Sequence, residues 1–198
     1  MRGILLSGGM DSSALACWKR PDVAFNINYG QLSAKAERNA ARKIANSLSI
    51  PLIEIDVDCS SLGSGDLAGK DKLQVGNKSD WWPYRNQLIL TIAATKALVY
   101  GCKELMIGTV ASDGEHLDGT QEFIEKINEL MSYQEGNLSI TAPALNHMAE
   151  ELIEVSGIPE RLLLQTYSCH KANIPCFECR GCNKNQLTLS QLGKLNPA

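Results

Sequence analysis

No apolar run in the 198 residues approaches the roughly 20 needed to cross a bilayer. Met1-Arg2 leads into strand-like residues rather than a secretory leader, so a cytoplasmic protein is expected. A basic block is missing too. The 19 Lys and Arg stand against 22 Asp and Glu, a net charge of −3, which argues against broad capture of nucleic acid through its phosphates and for a small-molecule substrate. No repeat or low-complexity segment divides the chain, and no residue stands out as a covalent nucleophile.

What is present begins at Ile4-Leu5-Leu6-Ser7-Gly8-Gly9-Met10-Asp11-Ser12-Ser13-Ala14, a short apolar strand that runs through a glycine pair into a helix. Gly8 and Gly9 let the backbone turn without Cβ clashes. Successive N–H groups and the start of the helix then aim at one point and favour an anion there. The turn has neither the lysine of the Gly-x-x-x-x-Gly-Lys-Ser/Thr loop nor the Gly-x-Gly-x-x-Gly spacing of dinucleotide sites. It resembles instead the Ser-Gly-Gly-x-Asp-Ser loop of the ATP pyrophosphatases, which split ATP between its α- and β-phosphates and pass AMP to a substrate oxygen. In such a loop Ser7, Ser12 and Ser13 hydrogen-bond phosphate oxygens. Asp11, a carboxylate beside an anion, needs Mg²⁺ between the two or backbone donors to hold it. The plainer alternative is a turn in which Asp11 or Ser12 only caps the helix.

At 44% hydrophobic content the chain can bury the core of one α/β domain, 1–165, with a small appendage at 166–198. Strands and helices alternate: a helix over 11–19, a strand over Val23–Asn28, and a helix near 32–47 with Leu32, Ala36, Ala40, Ile44 and Leu48 on one face. A third strand runs from Pro51 to Val57. The Ser-, Gly-, Asp- and Lys-rich stretch from Asp58 to Trp82 is too long for an ordinary connection, and reads as a mobile cover over the site or as a disordered insertion. Pro83 opens the next helix, with Leu88, Ile92, Thr95 and Val99 as its buried stripe. A strand over 103–108, an acidic loop (111–119), a helix (120–134), a strand at Ser139–Thr141, a helix from Asn146 and a short one from Pro159 complete the pattern. This order predicts a doubly wound parallel sheet whose ligands bind at the carboxyl ends of the strands, where Ser7, Tyr29, Asp58 and Gly108 fall.

Cys17, Cys59 and Cys102 are scattered, while Cys169, Cys176, Cys179 and Cys182 crowd into fourteen positions. In a reducing compartment such a cluster signals metal sooner than disulfides. Four sulfurs closing on one tetrahedral ion point to structural Zn²⁺; buried thiols or an iron–sulfur cluster are the alternatives. His170 reads as a neighbour of the ligand set.

Loop and tail together resemble the 7-cyano-7-deazaguanine synthases, which turn 7-carboxy-7-deazaguanine into its nitrile with ATP and ammonia. The resemblance rests on Ser7 to Ser12, Tyr29-Gly30-Gln31, Pro83-Tyr84-Arg85-Asn86, Glu122-Phe123-Ile124 and Ser168-Cys169 with the three later cysteines. It implies the adenine-nucleotide α-hydrolase fold, a nucleotide over the Ser7–Ser13 loop (Met10 included), Tyr29, Gly30, Gln31, Arg85, Asn86, Gly108 and Asp118 around it, Zn²⁺ on the cysteines, and usually a dimer. One segment departs from the family pattern. Where relatives carry Ser-Gly-Tyr-Pro-Asp-Cys-Arg, this chain reads Asp113-Gly114-Glu115-His116-Leu117-Asp118-Gly119-Thr120, which keeps a carboxylate and loses the aromatic and the arginine. His116 is then a base or ligand of the pocket, or a plain loop histidine. A relative of this kind resembles the synthase-like proteins of antiphage operons, some of which attach the deazaguanine to a protein amine.

The implied chemistry is adenylation of a carboxylate, with Asp11 and Ser12 at the phosphates and Arg85 on phosphate or carboxylate as a bidentate fork. Asn86 orients the nucleotide or caps its helix. Trp81 and Trp82 stack on a base or anchor the long loop. Rival readings are a tRNA-thiolating enzyme, which wants a basic surface and a catalytic cysteine pair, and a nucleotide-binding module that releases no pyrophosphate.

Overall fold

The computed structural model describes residues 1–76 and 78–194. Five parallel strands, β1 (Arg2–Leu5), β2 (Val23–Asn28), β3 (Leu52–Asp56), β4 (Glu104–Met106) and β5 (Ser139–Thr141), form one sheet in the order β3-β2-β1-β4-β5. The helices are α1 (Met10–Lys19), α2 (Ala34–Leu48), α3 (Arg85–Val99), α4 (Gln121–Tyr133), α5 (Ala149–Ser156), α6 (Glu160–Leu163) and α7 (Arg180–Gln191). The predicted doubly wound α/β sheet is what forms. Its chain runs outward from β1 to β3, then crosses back to β4. The gap between the carboxyl ends of β1 and β4 is the crevice where such sheets bind ligands.

Alternation along β1 divides the core in two. Ile4 and Leu6 point to the face that carries α1, α2, α5 and α6, joined there by Leu189 of α7. Leu5 points to the other face, where Phe25, Trp82, Leu90, Leu105 and Ile124 gather under α3 and α4. Burying side chains of this size stabilises by roughly 1.5–3 kcal/mol each, so both faces hold the central strands β1 and β4 whose ends frame the crevice.

Several elements differ from expectation for local reasons. The second helix starts at Ala34, not 32, because the Gln31 side chain accepts from the Tyr29 N–H at 2.9 Å and donates to the Ile27 carbonyl at 3.3 Å, closing a turn first. Leu32 is left exposed outside the helix, Ala40 and Ile44 are buried, and Ala36 and Leu48 are half-buried. The next helix begins at Arg85, two residues after Pro83, since Tyr84 takes a left-handed conformation (φ 53°). Its inward face is Asn86, Leu90, Ala93, Ala94 and Ala97; Thr95 and Val99 are exposed, and Leu88 and Ile92 only partly buried. Alanines let α3 approach the sheet closely, so the larger apolar residues on its flank are displaced from the contact. The following strand shortens to Glu104–Met106, and the helix expected from Asn146 starts at Ala149.

The described part of the 58–82 loop is packed rather than a disordered insertion. Two short 3₁₀ turns, Ser60–Leu62 and Asp66–Ala68, carry Leu67 into the core, and Trp82 is buried edge-on to Tyr29 at 5.0 Å. Trp82 therefore anchors the loop. Helix α7 was not anticipated in the tail. Among the described residues no helix is long and apolar enough to cross a membrane.

Candidate active site

The turn after β1 delivers Ser7, Gly9, Met10, Asp11 and Ser12 to one cavity at the carboxyl end of the sheet, which Tyr29, Arg85, Asn86, Gly108 and Asp118 also line. Gly108 permits the closeness of the two strand ends, because a Cβ there would lie 2.8 Å from the Ser12 Cα. Ser7 and Ser12 hydroxyls are 3.0 Å apart, and the Gly9 N–H donates to Ser7 Oγ at 3.2 Å. The polar groups of the turn thus converge on one another.

Four expected residues lie behind the cavity instead of on it. Gly8 has φ +89° and its carbonyl accepts from the Tyr167 N–H at 2.8 Å; a Cβ would sit 2.5 Å from the Glu37 carbonyl. Ser13 is fully buried. Gly30 packs on Ser60. Gln31 is buried and donates to the Glu37 carboxylate at 2.9 Å, with Ser33 Oγ donating to the same group at 2.5 Å. Burial raises the Glu37 carboxyl above its ordinary range, and these two hydrogen bonds offset part of the rise.

At the other end of the cavity Asn86 binds Asp118 twice, backbone N–H to carboxylate at 3.1 Å and side-chain amide to carbonyl at 2.8 Å. Asp118 thereby caps the first turn of α3 from a distant loop. Arg85 touches Asn86 Oδ1 at 3.3 Å and forms no ion pair among the described residues. Its guanidinium is available to an anion.

Of the remaining wall the sequence singles out only His116 for the pocket, as one of its residues or as a plain loop histidine. Lys184 of α7 donates to Asp11 at 2.8 Å and to Asp113 at 2.9 Å. Burial disfavours the Lys184 ammonium, and the two carboxylates more than offset that, raising its pKa. Asp80, buried in the long loop, meets His116 Nε2 at 3.3 Å, His170 Nδ1 at 3.4 Å and Arg180 at 3.3 Å. Burial alone would raise the Asp80 carboxyl; those neighbours hold it well below the usual carboxylate range. Burial pulls His170 down to about 4 against the attraction of Asp80. His116 lines the cavity and contacts Arg180 at 2.8 Å, so it is part of the wall. The legible signal for this wall was Arg180 and Lys184 at i, i+4 in a stretch free of proline, directly after a Cys-x-x-Cys turn.

Cys169, Cys176, Cys179 and Cys182 bring their sulfurs within 4.8 Å of one another. The N–H groups of His170, Cys179 and Cys182 point at cysteine sulfurs at 3.3 to 3.5 Å, as suits thiolates, and Cys179 caps α7. A Zn²⁺ ion fits this all-sulfur set. Among the described residues no cysteine lines the cavity itself.

A family model described as "Queuosine biosynthesis protein QueC" matches residues 3–193. The chain belongs to this family. Among curated QueC-type relatives, the 7-cyano-7-deazaguanine synthase of a Nitratiruptor species is 30% identical over 198 residues, spanning 90% of this chain and 89% of that protein. That of Methanocaldococcus jannaschii is 27% identical over 219 residues, spanning 96% and 94%. A solved structure, NMN synthetase from Francisella tularensis, superposes with a TM-score of 0.50 at 15% identity, covering 99% of this chain and 78% of that one, a likeness of fold. The family read from the phosphate turn and cysteine spacing is thus the family found.

Proposed function

We propose that this chain is an ATP-dependent carbon–nitrogen ligase that activates the carboxylate of 7-carboxy-7-deazaguanine as an acyl adenylate and passes it to ammonia. The observation that carries the reading is the meeting of an anion-binding turn, an unpaired guanidinium and an anchored carboxylate in one cavity of a chain of this family. Arg85 offers its fork to the substrate carboxylate. Asp118, held by Asn86 through one oxygen, keeps the other for the N1–H and exocyclic amine of a guanine-like base.

A carboxylate oxygen of the substrate attacks the α-phosphorus, and the bond to the β-phosphate bridging oxygen breaks. Pyrophosphate leaves with the electron pair, its charge met by the N–H groups and hydroxyls of the Ser7–Ser12 turn. Ammonia attacks the acyl carbon, AMP departs with the bonding pair, and an amide results. A second adenylation, at the amide oxygen, followed by loss of AMP and the remaining N–H protons, gives the nitrile. Asp11 Oδ1, buried and without a partner among the described residues, is the ligand this chain offers a Mg²⁺ that would neutralise the leaving pyrophosphate. The four cysteines would hold Zn²⁺ in a structural role. The same reading expects a homodimer, to be weighed by light scattering.

The segment 113–120 favours a second outcome, in which a protein amine replaces ammonia and the product stays an amide, because the family's arginine and aromatic are absent there. Mass spectrometry of 7-carboxy-7-deazaguanine with the protein, ATP and ammonium, then with candidate acceptor proteins, separates the two. Nitrile with two AMP per product supports the first reading, and a mass shift on protein the second. AMP formation that ignores the deazaguanine defeats both.

A further inference from the structure

We infer that Lys184 is a phosphate-binding residue of this site, the cation that its glycine turn lacks, carried in by the cysteine-held tail. The inference rests on the ATP reading above. Five carboxylates line the cavity (Asp11, Glu37, Asp80, Asp113 and Asp118) against the cations Arg85, Arg180 and Lys184. Arg180 is committed to Asp80 and Glu115, the latter at 2.6 Å, and Arg85 lies by Asn86 and Asp118 at the far end. Among the described residues only Lys184 pairs with a carboxylate of the turn. A pyrophosphate settling against Ser7 and Ser12 would bring its charge up to Asp11 and Asp113, where Lys184 is the side-chain cation that meets it beside any Mg²⁺ held on Asp11 Oδ1.

The geometry leaves the lysine a free hand. An ammonium has three N–H donors; one goes to Asp11 Oδ2 at 2.8 Å and one to Asp113 Oδ1 at 2.9 Å. The third has no partner among the described residues, on a side chain that lines the cavity and is about a quarter exposed (27%). During adenylation the Pα–O bond to the β-phosphate breaks and its electron pair stays on the departing oxygen. Lys184 donates a hydrogen bond to that group and transfers no proton. Its placement comes from elsewhere in the chain. Lys184 lies two residues past Cys182 on a helix capped by Cys179 and pinned in the core by Leu189.

Titration calorimetry with inorganic pyrophosphate and with AMP, alongside zinc content and thermal unfolding, tests this on the full chain. For K184M we expect pyrophosphate binding weakened by about tenfold or more, which is about 1.4 kcal/mol, with AMP binding within about twofold, zinc retained, and K184R restoring most of the loss. Undiminished pyrophosphate affinity in K184M with zinc in place overturns the inference and leaves the lysine as a tether for the tail. So does an equal loss for AMP and pyrophosphate. Should K184M shed zinc or melt early, D113N/K184M removes one of the two carboxylates left unpaired and carries the same comparison, with wild-type-like pyrophosphate binding again overturning the role. A wild-type chain that binds neither ATP nor pyrophosphate would instead bring down the ATP reading itself.

Discussion

The glycine turn takes its residues from the seven positions Ser7–Ser13, whereas the wall that meets it draws Asp80, Asp113, His116, His170, Arg180 and Lys184 from four separate segments. The turn is chiefly backbone geometry: strand, glycine pair and helix start place the donors, braced by the Tyr167 N–H on the Gly8 carbonyl and by α2 packed on Gly8. The wall is side-chain convergence, and its members meet only if the long loop, the 113–120 segment and α7 all dock. The first kind of site survives local damage in the tail; the second depends on the cysteine cluster that starts α7.

Removing the four-cysteine cluster that would hold Zn²⁺ is the strongest way to break that contrast. Structural zinc in small domains is worth an apparent ~10–16 kcal/mol at neutral pH. If the four cysteines hold Zn²⁺ as proposed, C169S/C182S should show no zinc by elemental analysis and lose amide protection across 166–194, while the strands of the sheet stay protected in hydrogen exchange. Uniform loss of protection would show that both halves stand or fall together.

Attack on the turn should do the reverse. D11A and S12A are expected to lower pyrophosphate release by about 10²–10³-fold, the usual cost of losing a group aimed at developing charge, with thermal unfolding little changed. Lys184 keeps its bond to Asp113 in D11A, so the tail has reason to remain in place. Activity near wild type in both variants would remove the phosphate assignment of the turn.

These contrasts also explain what could be read in advance. β2 and β5 were legible to the residue because Val23–Asn28 and Ser139–Thr141 are bounded by local signals. The turn from β1 into α1 was legible because its signals are contiguous. The inward face of α3 was not: bulk suggested Ile92 and Val99, and close helix-to-sheet contact selected Ala93, Ala94 and Ala97. Gln31 was expected among the nucleotide contacts and is buried against Glu37, since a buried amide with neighbours on its own turn satisfies itself locally. Lys184 was missed because its partner Asp11 is 173 positions away, and no periodicity carries information over that distance.

Gly8 sharpens the comparison at smaller scale. Its left-handed φ and the approach of the Glu37 carbonyl and the Ala41 amide leave no room for a methyl group. G8A should cost about 2–3 kcal/mol in urea unfolding, from strain at a φ that L residues avoid plus the clash with α2. Zinc content should be unchanged. A neutral result would mean that the turn and α2 separate more easily than their contact implies.

Glu37 gives the gentlest test and the one with a definite pH signature. Its carboxyl is raised in the folded state, so below the unfolded value of about 4.3 both states are protonated and burial costs nothing. As pH rises the unfolded carboxyl ionises first, stability falls, and the loss is complete once pH passes the folded pKa. E37Q never ionises, and its amide can still accept from Gln31 and donate to Ser33. The variant should therefore match wild type near pH 4 and unfold at higher temperature at pH 7, by an amount worth about 1 kcal/mol or less. A wild type more stable than E37Q at neutral pH would mean that the carboxylate behind the phosphate turn is held charged by a cation, and the turn would then owe part of its shape to an ion pair rather than to backbone geometry alone.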